Sequence, residues 1–117
     1  MLARGGLASA VPVPYTEINA LLEVPMTTFF MFGKYAKDAI KGIAAKRTAK
    51  VEELIQGFGG KLRSVYAILG EYDLIIIAEL PGIHEALHVS IEITKETGIS
   101  FSTSAAITVA DFDLMFE

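Results

Sequence analysis

Between Met26 and Thr108 the apolar residues alternate between two kinds of spacing. Thr27-Thr28-Phe29-Phe30-Met31-Phe32 is rich in β-branched and aromatic residues and predicts a strand, closed by Gly33 and Lys34-Tyr35. Ile40, Ile43, Ala44, Arg47, Val51, Leu54, Ile55 and Phe58 then recur at spacings of three and four. Lys46, Lys50, Glu53 and Gln56 fall on the other side, so a helix follows. Gly59-Gly60 supply its left-handed stop. A second strand is expected over residues 61–69, a turn at Gly70-Glu71-Tyr72-Asp73, and a third strand over residues 73–80. Pro81-Gly82 interrupt the pattern. A second helix then spans residues 83–97, with Ile83, Ala86, Leu87, Ser90, Ile91 and Thr94 as its buried face. Gly98 stops that helix, a fourth strand runs from Ile99 to about Thr108, and a helical turn is expected over residues 110–116. The order β-α-β-β-α-β predicts an α+β, ferredoxin-like sandwich with both helices on one face of the sheet.

The other face of that sheet shapes the functional expectation. A strand with one wet face alternates apolar and polar residues. Leu74-Ile75-Ile76-Ile77-Ala78 is apolar on both parities, and so is Phe29-Phe30-Met31-Phe32. If Leu74, Ile76, Ala78 and Leu80 face the helices, then Asp73, Ile75, Ile77 and Glu79 face away, charged at the ends and apolar in the middle. Leaving such side chains in water forfeits roughly 1.5–3 kcal/mol each. The simplest cover is a second copy of the sheet about a twofold axis, which predicts a homodimer of the dimeric α/β-barrel type.

Composition narrows the picture. A chain of 117 residues, 52% hydrophobic, makes one folded domain rather than a disordered segment. A net charge of −4 disfavours a nucleic-acid partner. The absence of cysteine removes disulfides, thiolate chemistry and cysteine-based metal sites, and suits a reducing cytoplasm. No stretch reaches the ~20 apolar residues of a membrane span, so no membrane partner is expected. Ala8-Ser9-Ala10 resembles a cleavage site, but Gly5 and Gly6 interrupt the apolar run a secretory leader needs. Residues 1–25 hold three of the four prolines, Pro12, Pro14 and Pro25. They read as an N-terminal arm, with Thr16 capping a short helix through Ile18, Leu21 and Leu22, ahead of a domain over residues 26–117. Such an arm either extends loosely or docks on a neighbouring subunit.

Several short elements together carry a resemblance. Phe32-Gly33-Lys34-Tyr35, Gly42-Ile43, Arg47-Thr48, Phe58-Gly59-Gly60, Gly70-Glu71-Tyr72-Asp73, Thr97-Gly98-Ile99 and Phe101-Ser102-Thr103 resemble the GYD-domain family. Its glycine–tyrosine–aspartate element is present as Gly70, Tyr72 and Asp73. The resemblance covers about Met26 to Phe116 and implies a ferredoxin-like fold. Gly70-Glu71-Tyr72-Asp73 before an apolar strand is also similar to the ligand-binding domain of leucine-responsive regulators. That similarity implies a dimer holding small metabolites at subunit interfaces, here without a preceding DNA-binding helix-turn-helix.

Four groups of residues are candidates for chemistry. In Gly70–Asp73, Tyr72 offers an amphipathic ring and Asp73 an acceptor; equally, Gly70 takes a positive φ, Asp73 bonds the turn and Tyr72 packs on the rim. Lys34, Tyr35 and Arg47 form either a cationic pocket for a small anion or, with Asp73 or Glu71, a salt bridge between helix and sheet. His84 and His88 stand four apart on the second helix with Glu92 four further on, a spacing that can ligate a metal but on the face opposite the expected core. Ser100, Ser102, Ser104 and Thr108 share one parity of the fourth strand, with Thr103 on the other. No nucleophile elbow and no glycine-rich phosphate loop is present, so no cofactor is expected. The reading is therefore a homodimeric, non-enzymatic small-ligand-binding or accessory protein, with its ligand near Lys34, Tyr35, Arg47, Tyr66, Glu71, Tyr72 and Asp73. The alternatives are a cofactor-independent enzyme of the monooxygenase-like dimeric-barrel type and an assembly subunit linked through residues 1–25.

Overall fold

The computed structural model describes residues 25–37 and 45–117. The N-terminal arm through residue 24, its Thr16 cap, and the helical positions Ile40, Ile43 and Ala44 lie outside the described residues. The elements are β1 (Thr27–Tyr35), α1 (Ala45–Gly57), β2 (Lys61–Ala67), β3 (Leu74–Leu80), α2 (Ile83–Thr97), β4 (Ile99–Ala106) and α3 (Val109–Leu114). The strands form one antiparallel sheet in the order β2-β3-β1-β4, with α1 and α2 packed on one face. This is the ferredoxin-like arrangement expected, with β1 and β3 as the central pair.

Parity decides the core. Leu74, Ile76, Ala78 and Leu80 are buried while Ile75, Ile77 and Glu79 are half-buried, as the alternation of β3 predicts. Phe29 and Met31 join them from β1, Val51 and Ile55 from α1, and Ala86, Val89 and Ile93 from α2. Here α2 departs from expectation: Ile83, Leu87 and Ile91 are 72%, 61% and 50% exposed. Two apolar stripes lie side by side on this helix, and the one with small Ala86 sits against the sheet. Ser90 and Thr94 border it, each donating its hydroxyl to a carbonyl four residues back.

β1 ends at Tyr35, inside the Gly33–Tyr35 stretch expected to close it, whereas β2 departs from its predicted course. Gly33 is needed inside β1 because a Cβ there would come within 2.5 Å of the Leu74 side chain and 2.9 Å of the Ile99 side chain. β2 carries a bulge between Leu62 and Ser64. The extra residue, Arg63, reverses the parity: Leu62 pairs with Ala78 and Val65 with Ile76 on the helix side, whereas Ser64 and Tyr66 lie opposite Ile77 and Ile75 on the open side.

The β2–β3 connection is closed by the Ile68 N–H donating to the Asp73 carbonyl at 3.0 Å. Within it Gly70 has φ 119°, and nothing lies within 4 Å of where its Cβ would stand. Its cost to other residues is therefore backbone strain alone. Gly70→Ala is expected to destabilise the domain by about 1–2 kcal/mol, read as a lower urea midpoint at unchanged slope. An unchanged midpoint would mean the turn relaxes into an ordinary backbone conformation.

Candidate functional site

The face away from α1 and α2 can be mapped from strand register. One row across the sheet reads Tyr66, Ile75, Phe32, Ser102, and the next reads Ser64, Ile77, Phe30, Ser104. The middle strands thus supply an apolar spine and the outer strands supply hydroxyls. At one end stand Lys34 and, beside it on β4, Ser100. Tyr72 joins this end by packing its ring on Phe32 at 5.5 Å between centroids. At the other end Lys61 lies opposite Glu79, and the Arg63 guanidinium reaches the Glu79 carboxylate at 3.4 Å. Tyr66 is 57% exposed, so its hydroxyl and much of its ring stand free at the β2 edge.

The remaining predicted residues divide between this face and the opposite one. Tyr35 has the parity of Phe29 and Met31, so it faces the helix layer, where it packs against the core and lies under the Arg47 guanidinium at 5.7 Å. Asp73 joins the two faces. Its carboxylate accepts a hydrogen bond from the Tyr35 N–H at 2.8 Å, and its own N–H donates to the Gly33 carbonyl at 2.9 Å. Asp73 thus ties the end of β1 to the start of β3. Glu71 is exposed in the turn. Lys34, Tyr66 and Tyr72 therefore belong together on the open face, while Tyr35 and Arg47 form a second cluster behind the sheet.

That second cluster borders a depression of about 580 Å³ between α1 and α2, lined by Lys46, Arg47, Lys50, Glu53 and Glu96 among others. Its charges are mixed, which suits no single ion. On α2, the His88 ring packs on Phe58 at 4.4 Å between centroids, and His84 is exposed. Among the described residues no three His, Cys, Asp or Glu side chains gather as a metal site. The serines of β4 face the open side as their parity predicts, whereas Thr103 points to the helices and meets the Ser90 hydroxyl at 3.2 Å. Reading by residue type missed the pairing of Ser64 with the open face. The only signal for it was the bulge at Arg63, which a sequence does not display.

No helix among the described residues is long and apolar enough to cross a membrane. No curated protein matches the sequence. In fold, the chain is similar to the leucine response regulatory protein LrpA of Mycobacterium tuberculosis, at TM-score 0.54 and 9% identity, over 85% of this chain and 59% of that one. It is similar also to an AsnC family transcriptional regulator from Agrobacterium tumefaciens, at TM-score 0.51 and 15% identity, over 85% of this chain and 57% of that one. The chain thus spans less than two thirds of the length of these regulators. The GYD domain profile matches residues 29–115, nearly all of the folded unit, including Gly70, Tyr72 and Asp73. The chain belongs to the GYD domain family.

Proposed function

We propose that this protein is a non-enzymatic, cytoplasmic small-ligand-binding or accessory protein that works as a homodimer through its open sheet face. The observation that carries the reading is the make-up of that face: an apolar spine of Phe30, Phe32, Ile75 and Ile77 between rows of hydroxyls, outside the helix-covered core. A second sheet over the spine would remove it from water. The hydroxyls of Ser64, Tyr66, Ser102 and Ser104, with Lys34 and the Tyr72 ring at one end, would then line the space between subunits. Such a lining suits a small amphipathic molecule that places an apolar part on the spine and an anionic group near Lys34. One neighbour in fold is named for its response to leucine, which makes free amino acids the first class to try.

A ligand that binds only the folded form raises apparent stability by about 2.7 kcal/mol at 100 times its dissociation constant. A thermal-shift screen of free amino acids and small carboxylates should therefore yield a hit. The shift should vanish in Tyr66→Ala and Tyr72→Ala, which alter the open face, and persist in Tyr35→Phe, on the helix side. A hit that depends on Tyr35 and ignores Tyr66 and Tyr72 would move the site behind the sheet. No hit across the panel would remove the amino-acid assignment.

A further inference from the structure

After β4 the chain turns at Thr108, whose hydroxyl accepts from the Asp111 N–H at 3.1 Å, and forms α3. This helix has no buried residue. Val109, Phe112, Leu114, Met115 and Phe116 are between 50% and 74% exposed, and the Phe112 and Phe116 rings pack on each other at 5.1 Å between centroids. Interleaved with them are Asp111, Asp113 and Glu117, with no lysine or arginine in the segment. An apolar, acidic helix standing off its own domain calls for an apolar, basic seat.

The β2 edge offers one. Lys61 and Arg63 lie at its start, with a single carboxylate, Glu79, between them and Arg63 paired to it, so the edge keeps a net positive charge; Tyr66 is exposed on the open side further along. Register shows that this start and the point where α3 leaves β4 are at the same end of the sheet: Lys61 pairs with Glu79, Glu79 with Thr28, and Thr28 with Ala106. The two features lie on opposite edges of one subunit, so α3 does not reach the β2 edge of its own chain. A twofold axis between two stacked sheets and parallel to the strands reverses the strand order while keeping the ends aligned. It sets β4 of one copy over β2 of the other, and the end of β4 from which α3 departs over Lys61 and Arg63. The same axis sets Phe30 and Phe32 of β1 over Ile75 and Ile77 of β3. A twofold axis across the strands would stack β2 on β2 and β4 on β4, and the acidic helix would lose its basic seat.

We infer that α3 is a dimer clasp: its apolar, acidic surface seats on the Lys61–Arg63 edge of β2 in a second copy of this chain. Interface size supports this. Four strands of about eight residues have a flat footprint of about 500 Å² at the usual strand spacing and rise. Side-chain relief raises that only part of the way to the roughly 800 Å² per partner of a standard interface. A fully buried phenylalanine hides about 150–250 Å²; Phe112 and Phe116, 50% and 74% exposed, would each add a part of that, and the exposed residues of α3 thus extend the interface toward the standard size.

The inference rests on the homodimer proposed above and is tested apart from it. The full chain contains no cysteine, so engineered pairs report contact without background. The double variant Ser64→Cys/Phe112→Cys should form a disulfide between chains, and Leu87→Cys/Phe112→Cys should not. In parallel, Asp111→Lys/Asp113→Lys and Lys61→Glu/Arg63→Glu should each weaken the dimer about tenfold by dilution light scattering, and their combination should restore it. A dimer indifferent to all of these substitutions overturns the clasp and leaves the sheet-to-sheet dimer standing. So does a crosslink through position 87, or one within a single chain. A wild-type protein that is monomeric at micromolar concentration overturns both.

Discussion

Replacing Ile77 by aspartate is expected to split the dimer while leaving each subunit folded. Ile77 is half-buried on the open face, with Phe30 beside it on β1 and Ser64 beside it on β2. In a lone subunit the new carboxylate would point to water, and its cost is limited to strand propensity, about 1 kcal/mol or less. In the stacked pair the twofold axis buries two such carboxylates among Phe30, Phe32 and Ile75, while the nearest cations, Lys61 and Arg63, lie out at the β2 edge beside Glu79, with Arg63 already paired to it. A buried, unpaired charge costs several kcal/mol, so the dimer dissociation constant should rise at least about 1000-fold. Sedimentation across a dilution series would show the change, and far-ultraviolet circular dichroism would show the retained fold. Ile76→Asp provides the contrast: Ile76 is fully buried beneath the helices, and its substitution should unfold the subunit. If the Ile77 variant stays dimeric with wild-type affinity, the open face is not the interface.

The difference between Ile76 and Ile77 is visible in the sequence because a strand assigns faces by a period of two, and β3 contains no irregularity to disturb it. The same logic identified β1 and β3 as doubly apolar and therefore central. It failed where the period was broken or doubled. In β2 the extra residue Arg63 shifts every later side chain to the other face, so Val65 and Tyr66 exchange roles relative to simple alternation. In α2 the stripes Ile83-Leu87-Ile91 and Ala86-Val89-Ile93 both satisfy helical spacing. Only the approach to the sheet selects the second. The proposed ligand residues were legible as residue types and not as a single site. Tyr35 and Tyr72 flank the same turn region in space, yet strand parity sends Tyr35 to the helices, and the packing of Tyr72 on Phe32 holds it on the open side.

Asp73 pins the β1 end beside that turn, and its removal should have the second large effect. The residue is the aspartate of the family's namesake element, and its side chain serves the backbone: it accepts the Tyr35 N–H from 38 residues away in sequence. With alanine there, that part-buried N–H loses its acceptor, and a charge-assisted bond is lost as well. The expected cost is about 1.5–3 kcal/mol, a substantial share of the roughly 5–15 kcal/mol that holds a domain of this size together. Asp73→Asn keeps an oxygen acceptor without the charge, so it should cost about half as much. Urea denaturation gives both values, and hydrogen exchange at the Tyr35 amide localises the effect. Faster exchange there, with the β4 pairing of Phe30 and Phe32 still protected, is the signature of a loosened β1 end. If alanine at position 73 costs less than about 0.5 kcal/mol and Tyr35 exchange is unchanged, the carboxylate does not hold this junction. A ligand-facing role for Asp73 would then be the better account of the same residue.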